Sequence, residues 1–69
     1  MKYYTIYEID KENNDIRNIG GSENRETIAN MLQIRVDNLH LYTMKSLDTP
    51  PRKQKILNNR YYAIMIDKD

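Results

Sequence analysis

The chain contains no cysteine, no tryptophan and no phenylalanine, and only two glycines and two prolines in 69 residues. Without cysteine no disulfide forms, and the missing thiolates weaken any metal-centre reading. A chain this short is near the lower limit for one unaided hydrophobic core, so residues 1–69 read as a single domain. Its core must be apolar packing alone, or packing helped by self-association. No run is apolar enough to span a bilayer, and the first residues lack the pattern of a signal peptide. The expectation is a cytoplasmic protein with no membrane contact.

Charge is balanced in total and uneven along the chain. The formal net charge is +1, with residues 1–34 carrying four basic and six acidic side chains and residues 35–69 seven basic and four acidic. Lys45, Arg52, Lys53, Lys55 and Arg60 make most of the basic excess. Such an asymmetry is compatible with an anionic partner or with a solvated loop.

What the chain does contain is tyrosine, six of them, and β-branched residues that alternate. Residues 3–10 read as a strand, with Tyr3, Thr5, Tyr7 and Ile9 on one face and Tyr4, Ile6 and Glu8 on the other. The asparagine-rich segment Lys11–Asp15 reads as a hairpin turn, and Ile16–Ile19 as a short edge strand ended by Gly20-Gly21. Ser22 or Asn24 then caps a helix over about Arg25–Leu32, with Glu23 and Glu26 near its positive end. Ile28, Met31 and Leu32 form its apolar stripe. A second helix is expected over about Val36–Leu47, with Val36, Leu39 and Tyr42 or Thr43 inward, stopped by Asp48-Thr49-Pro50-Pro51. Arg52–Lys55 continues as a basic loop, Asn58-Asn59 marks a turn, and Arg60–Ile66 is the clearest strand. Asp67-Lys68-Asp69 is a charged tail. The expected fold is α+β in the order β-β-α-α-β. It has a small three-stranded antiparallel sheet, first strand in the middle, packed against a helix-turn-helix.

The helix-turn-helix rests on spacing. Ala29 supplies the small side chain at a close helix crossing, four residues before a turn at Gln33, and Ile34, Leu39 and Tyr42 follow. With its opening tyrosine strand and hairpin, the helix Ala29-Asn30-Met31-Leu32-Gln33-Ile34, Tyr42 in the second helix and Tyr61-Tyr62 in the last strand, the chain resembles small phage-type helix-turn-helix proteins. That loose family occurs in bacteriophages and mobile elements of Gram-positive bacteria. Two positions depart from its pattern: Gln33 stands for the turn glycine, and Arg35 for the serine that caps the second helix, leaving Asp37 to cap one turn late. The resemblance implies a phage or mobile-element origin and nucleic-acid contact.

Enzymatic chemistry finds little support. His40 is the single histidine and has no cysteine partner, and Ser22 and Ser46 stand in no nucleophile elbow. Asp10, Glu12 and Asp15 lack the glycine and final glutamate of a calcium loop, and Gly20-Gly21-Ser22 lacks the lysine of a phosphate loop. No catalytic residue, metal or cofactor is expected. The first functional reading is a small DNA-binding or regulatory protein. Arg35, Asn38, His40 and Lys45 would face bases, and Arg52, Lys53, Lys55 and Arg60 would face phosphates. So few contacts make a weak monomer, and useful specificity would need a homodimer. The alternative is a protein-interaction module using Tyr3, Tyr7 and Tyr61 as an interface. It would inhibit a host protein such as an anti-phage nuclease, in the manner of an anti-CRISPR.

Overall fold

In the computed structural model, which describes residues 2–13, 15–46, 49 and 51–68, the alternating N-terminal segment forms β1, Lys2–Asp10. It lies in the middle of an antiparallel sheet. On one side is β2, Asp15–Ser22, and on the other the long C-terminal strand, Arg60–Lys68, with Ile6 opposite Ile64. The turn into β2 is closed by Asp10, whose Oδ1 accepts from the Glu12 N–H at 3.0 Å and whose Oδ2 accepts from Asn13 Nδ2 at 3.0 Å. Asn14, within the expected turn, lies outside the described residues.

One strand boundary is corrected. β2 does not end at Ile19 but runs through Gly20-Gly21 to Ser22, with Ile19 an extra residue where the register shifts between Ile6 and Tyr7. Gly21 permits this because a Cβ there would lie 2.6 Å from the Tyr4 carbonyl oxygen. Glycine marks here a close approach of two backbones, not a strand end.

Helix α1, Arg25–Met31, falls where the caps place it: Asn24 Oδ1 accepts from the Glu26 N–H at 2.9 Å. Ile28, Ala29 and Leu32 are buried against Tyr4, Ile6 and Ile64, whereas Met31 of the expected apolar stripe is exposed. The helix ends in a Schellman turn. The Ile34 N–H donates to Ala29 O at 2.9 Å and the Gln33 N–H to Asn30 O at 3.1 Å, with Gln33 left-handed at φ 56°. Gln33 thus adopts the backbone a glycine would take, at a cost a glycine would not bear. Gln33→Gly is expected to raise unfolding free energy by about 0.5–1 kcal/mol, the relieved strain less the added freedom of the unfolded chain. Urea unfolding checks it, and a fall in stability would count against a left-handed Gln33.

The second helix is the main correction. Val36–Tyr42 is a 3₁₀ helix, after which the chain turns extended at Thr43. The apolar residues Val36, Leu39 and Tyr42 recur every third position. In an α-helix such residues drift about 60° around the axis at each step. With three residues per turn they line up on one face. Arg35 offers no side-chain cap and pairs instead with Asp37 at 3.1 Å. At the other end Thr43 Oγ1 donates to Leu39 O at 2.8 Å, so a carbonyl of the last turn gains a side-chain partner. Leu47, Asp48 and Pro50, at the expected end of this helix, lie outside the described residues, as do Met1 and Asp69.

Two further strands replace expected helix and loop. β3, Thr43–Met44, pairs parallel with Ile64 and Met65 of the C-terminal strand, and β4, Lys55–Leu57, pairs antiparallel with its Arg60–Tyr62 end. Counting these, the C-terminal strand is β5. Asn58 and Asn59, at φ 52° and 64°, form the two-residue turn between β4 and β5. The sheet is therefore five-stranded and mixed, in the order β2-β1-β5-β3 with β4 also on β5. The expected three-stranded antiparallel sheet against a helix-turn-helix is overturned. One short α-helix and one 3₁₀ helix cover a single face of a larger sheet.

Candidate interaction surface

Strand parity decides what the other face carries. Tyr4, Ile6, Ile64 and Ile66 belong to the covered face, so Tyr3, Thr5, Tyr7 and Ile9 of β1 and Tyr61, Ala63 and Met65 of β5 share the opposite one. β2 adds Ile16, opposite Ile9, and β4 adds Ile56, opposite Tyr61. Among the described residues no helix or strand packs on this face. Its centre is small and closed: Thr5 lies opposite Met65 and Ala63 opposite Tyr7, with Ala63 fully buried and Thr5 nearly so. Larger side chains surround that centre. Tyr3 is 43% exposed, Ile16 39% and Ile56 56%. The Tyr3 ring lies against Gly21, where an added Cβ would come within 2.7 Å of Cε2. Lys11 Nζ sits 4.5 Å from the Tyr61 ring centroid, a cation–π contact at the hairpin end.

At that hairpin end, on the covered side, Glu8 binds two arginines. Arg17 of β2 reaches Oε2 at 3.1 Å and Arg60 of β5 reaches Oε1 at 3.0 Å, so one carboxylate ties three adjacent strands. The neighbouring Asp10 carboxyl is held below its ordinary value, chiefly by the Glu12 N–H and further by Asn13.

The eight basic and polar residues expected to face DNA are divided among several places. Arg35, Asn38 and His40 are exposed along the 3₁₀ segment, with Arg35 held to Asp37. Lys45, Arg52 and Lys53 are exposed beyond it, and the Lys53 N–H donates to Leu41 O at 2.9 Å, folding the basic loop back onto the 3₁₀ helix. Lys55 and Arg60 stand on the β4–β5 hairpin, with Arg60 engaged by Glu8. Six residues of extended chain separate Arg60 from Ile66 near the 3₁₀ end, about 20 Å. A recognition helix that would gather these donors for a major groove does not form. The three tyrosines Tyr3, Tyr7 and Tyr61 do share one face of the sheet, with Tyr7 and Tyr61 near the hairpin end and Tyr3, opposite Asp67, toward the other. Alternation with Tyr7 already places Ile9 on this face; it does not place Ile16, Ile56 and Met65, although parity from Tyr61 puts Met65 there.

Comparison of the chain with protein-family models, with curated proteins and with solved structures finds no match in any of the three. The functional reading therefore rests on surface chemistry. Ser22 Oγ accepts from the Asn24 N–H at 3.0 Å, and Ser46 Oγ bonds Thr49 Oγ1 at 3.0 Å, so both serine hydroxyls serve local turns. Among the described residues no three His, Asp or Glu side chains gather as a metal site. No described helix is long and apolar enough to cross a membrane.

Proposed function

We propose that this chain is a non-enzymatic protein-interaction module that binds a partner protein through the open face of its sheet. One observation carries the reading: Tyr3, Tyr7 and Tyr61, from two strands distant in sequence, share a face that neither helix covers. Tyrosine joins a large apolar ring to a polar tip, which suits a surface that is wet when free and buried when bound. Four strand positions about 4.8 Å apart, with strands of nine residues, make a face about 20 by 30 Å. That is near the ~800 Å² per partner of an ordinary protein–protein interface. Ile16 and Ile56 at its two margins extend the apolar area beyond the tyrosines.

The test is a pull-down from nuclease-treated lysate at high salt, with retained proteins identified by mass spectrometry and re-bound as purified components. Tyr3→Ser and Tyr61→Ser are each expected to weaken that complex by about 30-fold, the ~2 kcal/mol of an interface anchor. Arg35→Glu and Arg52→Glu are expected to leave it unchanged. Retention of nucleic acid alone, lost with Arg35→Glu and Arg52→Glu, would overturn the reading. A self-association lost with the tyrosines would overturn the heterologous partner in favour of a second copy.

A further inference from the structure

A cleft on the covered side, away from the tyrosine face, has a chemistry of its own. It opens between the 3₁₀ helix and the ends of β1, β3 and β5 and encloses about 440 Å³. That volume lies within the range of small-ligand and side-chain pockets. Its floor is apolar: Tyr4, Val36, Leu39 and Ile66. Tyr4 and Leu39 are buried in the fold, while Val36 and Ile66 are half-buried. Its rim is basic: Lys2, Arg25, Lys45 and His40, all exposed.

The lining includes a single carboxylate, Asp37, and Arg35 already holds it at 3.1 Å. Among the described residues Lys2, Arg25 and Lys45 make no ion pair. The concavity at the hairpin end differs. There Glu8, Asp10, Glu12 and Asp15 face Lys11, Arg17 and Arg60, and Glu8 occupies both arginines. Of these two recesses, only the 3₁₀ cleft presents cations in excess of acids around an apolar base.

We propose that this cleft binds an acidic peptide segment of a partner protein, seating one large apolar side chain on the floor while flanking carboxylates meet Lys2, Arg25 and Lys45. A positive rim over low-dielectric walls concentrates anionic ligands and steers their approach. A nucleic-acid strand fits less well. Sequence-tolerant strand binding uses exposed aromatic rings as stacking platforms. Tyr4 is the single aromatic lining the cleft, and it is only 5% exposed. This site lies on the face opposite Tyr3, Tyr7 and Tyr61 and does not depend on their role.

The test uses the whole chain and three fluorescein-labelled probes: an aspartate- and glutamate-rich peptide with one central leucine, the same peptide with serine for leucine, and a short oligothymidylate. Fluorescence anisotropy should show saturable binding of the leucine peptide. Binding should weaken about tenfold with serine for leucine and about tenfold with Lys2→Glu/Lys45→Glu, two reversals at exposed positions. Tyr61→Ser should leave it unchanged, so failure here and failure of the tyrosine face are separable. Methyl resonances of Val36 and Ile66 should shift on titration with the leucine peptide. Absence of binding, equal binding of the leucine and serine peptides, tighter binding of oligothymidylate, or loss with Tyr61→Ser would each overturn the proposal. Circular dichroism of Lys2→Glu/Lys45→Glu should match the parent, and Val36 and Ile66 shifts in the unaltered chain test the site even where it does not.

Discussion

Ile64→Ala is expected to cost about 3–4 kcal/mol and to leave much of the protein unfolded at 37 °C. Ile64 has no solvent exposure, and β5 sets it opposite Ile6 of β1 on one side and Thr43 of β3 on the other. It belongs to the one cluster in which Tyr4, Ile6, Ile28, Ala29, Leu32 and Leu39 are buried together. Truncating such a side chain loses its transfer free energy and leaves a cavity that the surrounding strands cannot close, typically 2–5 kcal/mol in total. For 69 residues the whole unfolding free energy is on the order of 3–10 kcal/mol, so the loss is a large fraction of it. Urea and thermal unfolding followed by circular dichroism measure it directly. Ile56→Ala, at a position 56% exposed on the edge, is the control and should change stability little. A loss below about 1 kcal/mol at Ile64 would contradict a core centred on β5.

Gly21→Ala is expected to destabilise by about 2–3 kcal/mol, although it adds only a methyl group. The added Cβ would stand 2.6 Å from the Tyr4 carbonyl oxygen and 2.7 Å from Tyr3 Cε2. The ring can turn aside. The carbonyl is backbone in the neighbouring strand and yields only if β1 and β2 separate at the Tyr4–Ser22 and Thr5–Gly21 positions. The measurement is again urea unfolding, joined to amide hydrogen exchange, which should quicken along β2 before the rest of the sheet. If Gly20-Gly21 were a loop after a strand ending at Ile19, the same substitution would be nearly neutral, so the outcome separates the two chain paths.

Several elements were legible from residues alone because their information is local. The alternation Tyr3-Tyr4-Thr5-Ile6-Tyr7 assigns both faces of β1, and strand parity follows without any partner. Asn24 caps α1 through a bond two residues long, and Asn58-Asn59 supplies a turn whose positive φ asparagine tolerates. Hydrophobicity of Arg60–Ile66 marks β5, and its pairing with β1 follows from there being no comparable strand elsewhere. Other elements were not local. β3 is two residues long, too short for any period, and exists because β5 offers a free edge at Ile64 and Met65. The spacing of Val36, Leu39 and Tyr42 aligns best at three residues per turn, but over so few residues an α-helix tolerates the same drift. The choice fell to the 3₁₀ form because the chain must turn extended at Thr43 to reach that edge.

The candidate surfaces divide in the same way. The tyrosine face was readable in outline, because Tyr3 and Tyr7 share parity and Tyr61 belongs to the strand expected to pair with theirs. Its margins at Ile16 and Ile56 required the register of β2 and β4, which backbone hydrogen bonding decides and side-chain pattern does not. The basic residues after position 34 suggested one anionic site by composition, but composition carries no distance. Folding sends Arg60 to Glu8 at one end of the sheet and brings His40 and Lys45 beside Lys2 and Arg25 at the other. By itself the sequence determined the alternation of β1, the caps of α1 and the turn at Asn58-Asn59, since each depends on neighbours a few residues apart. Tertiary structure alone decided the five-stranded sheet, the 3₁₀ helix and the basic cleft, because edges, registers and cavities arise only when segments far apart in the chain are packed together.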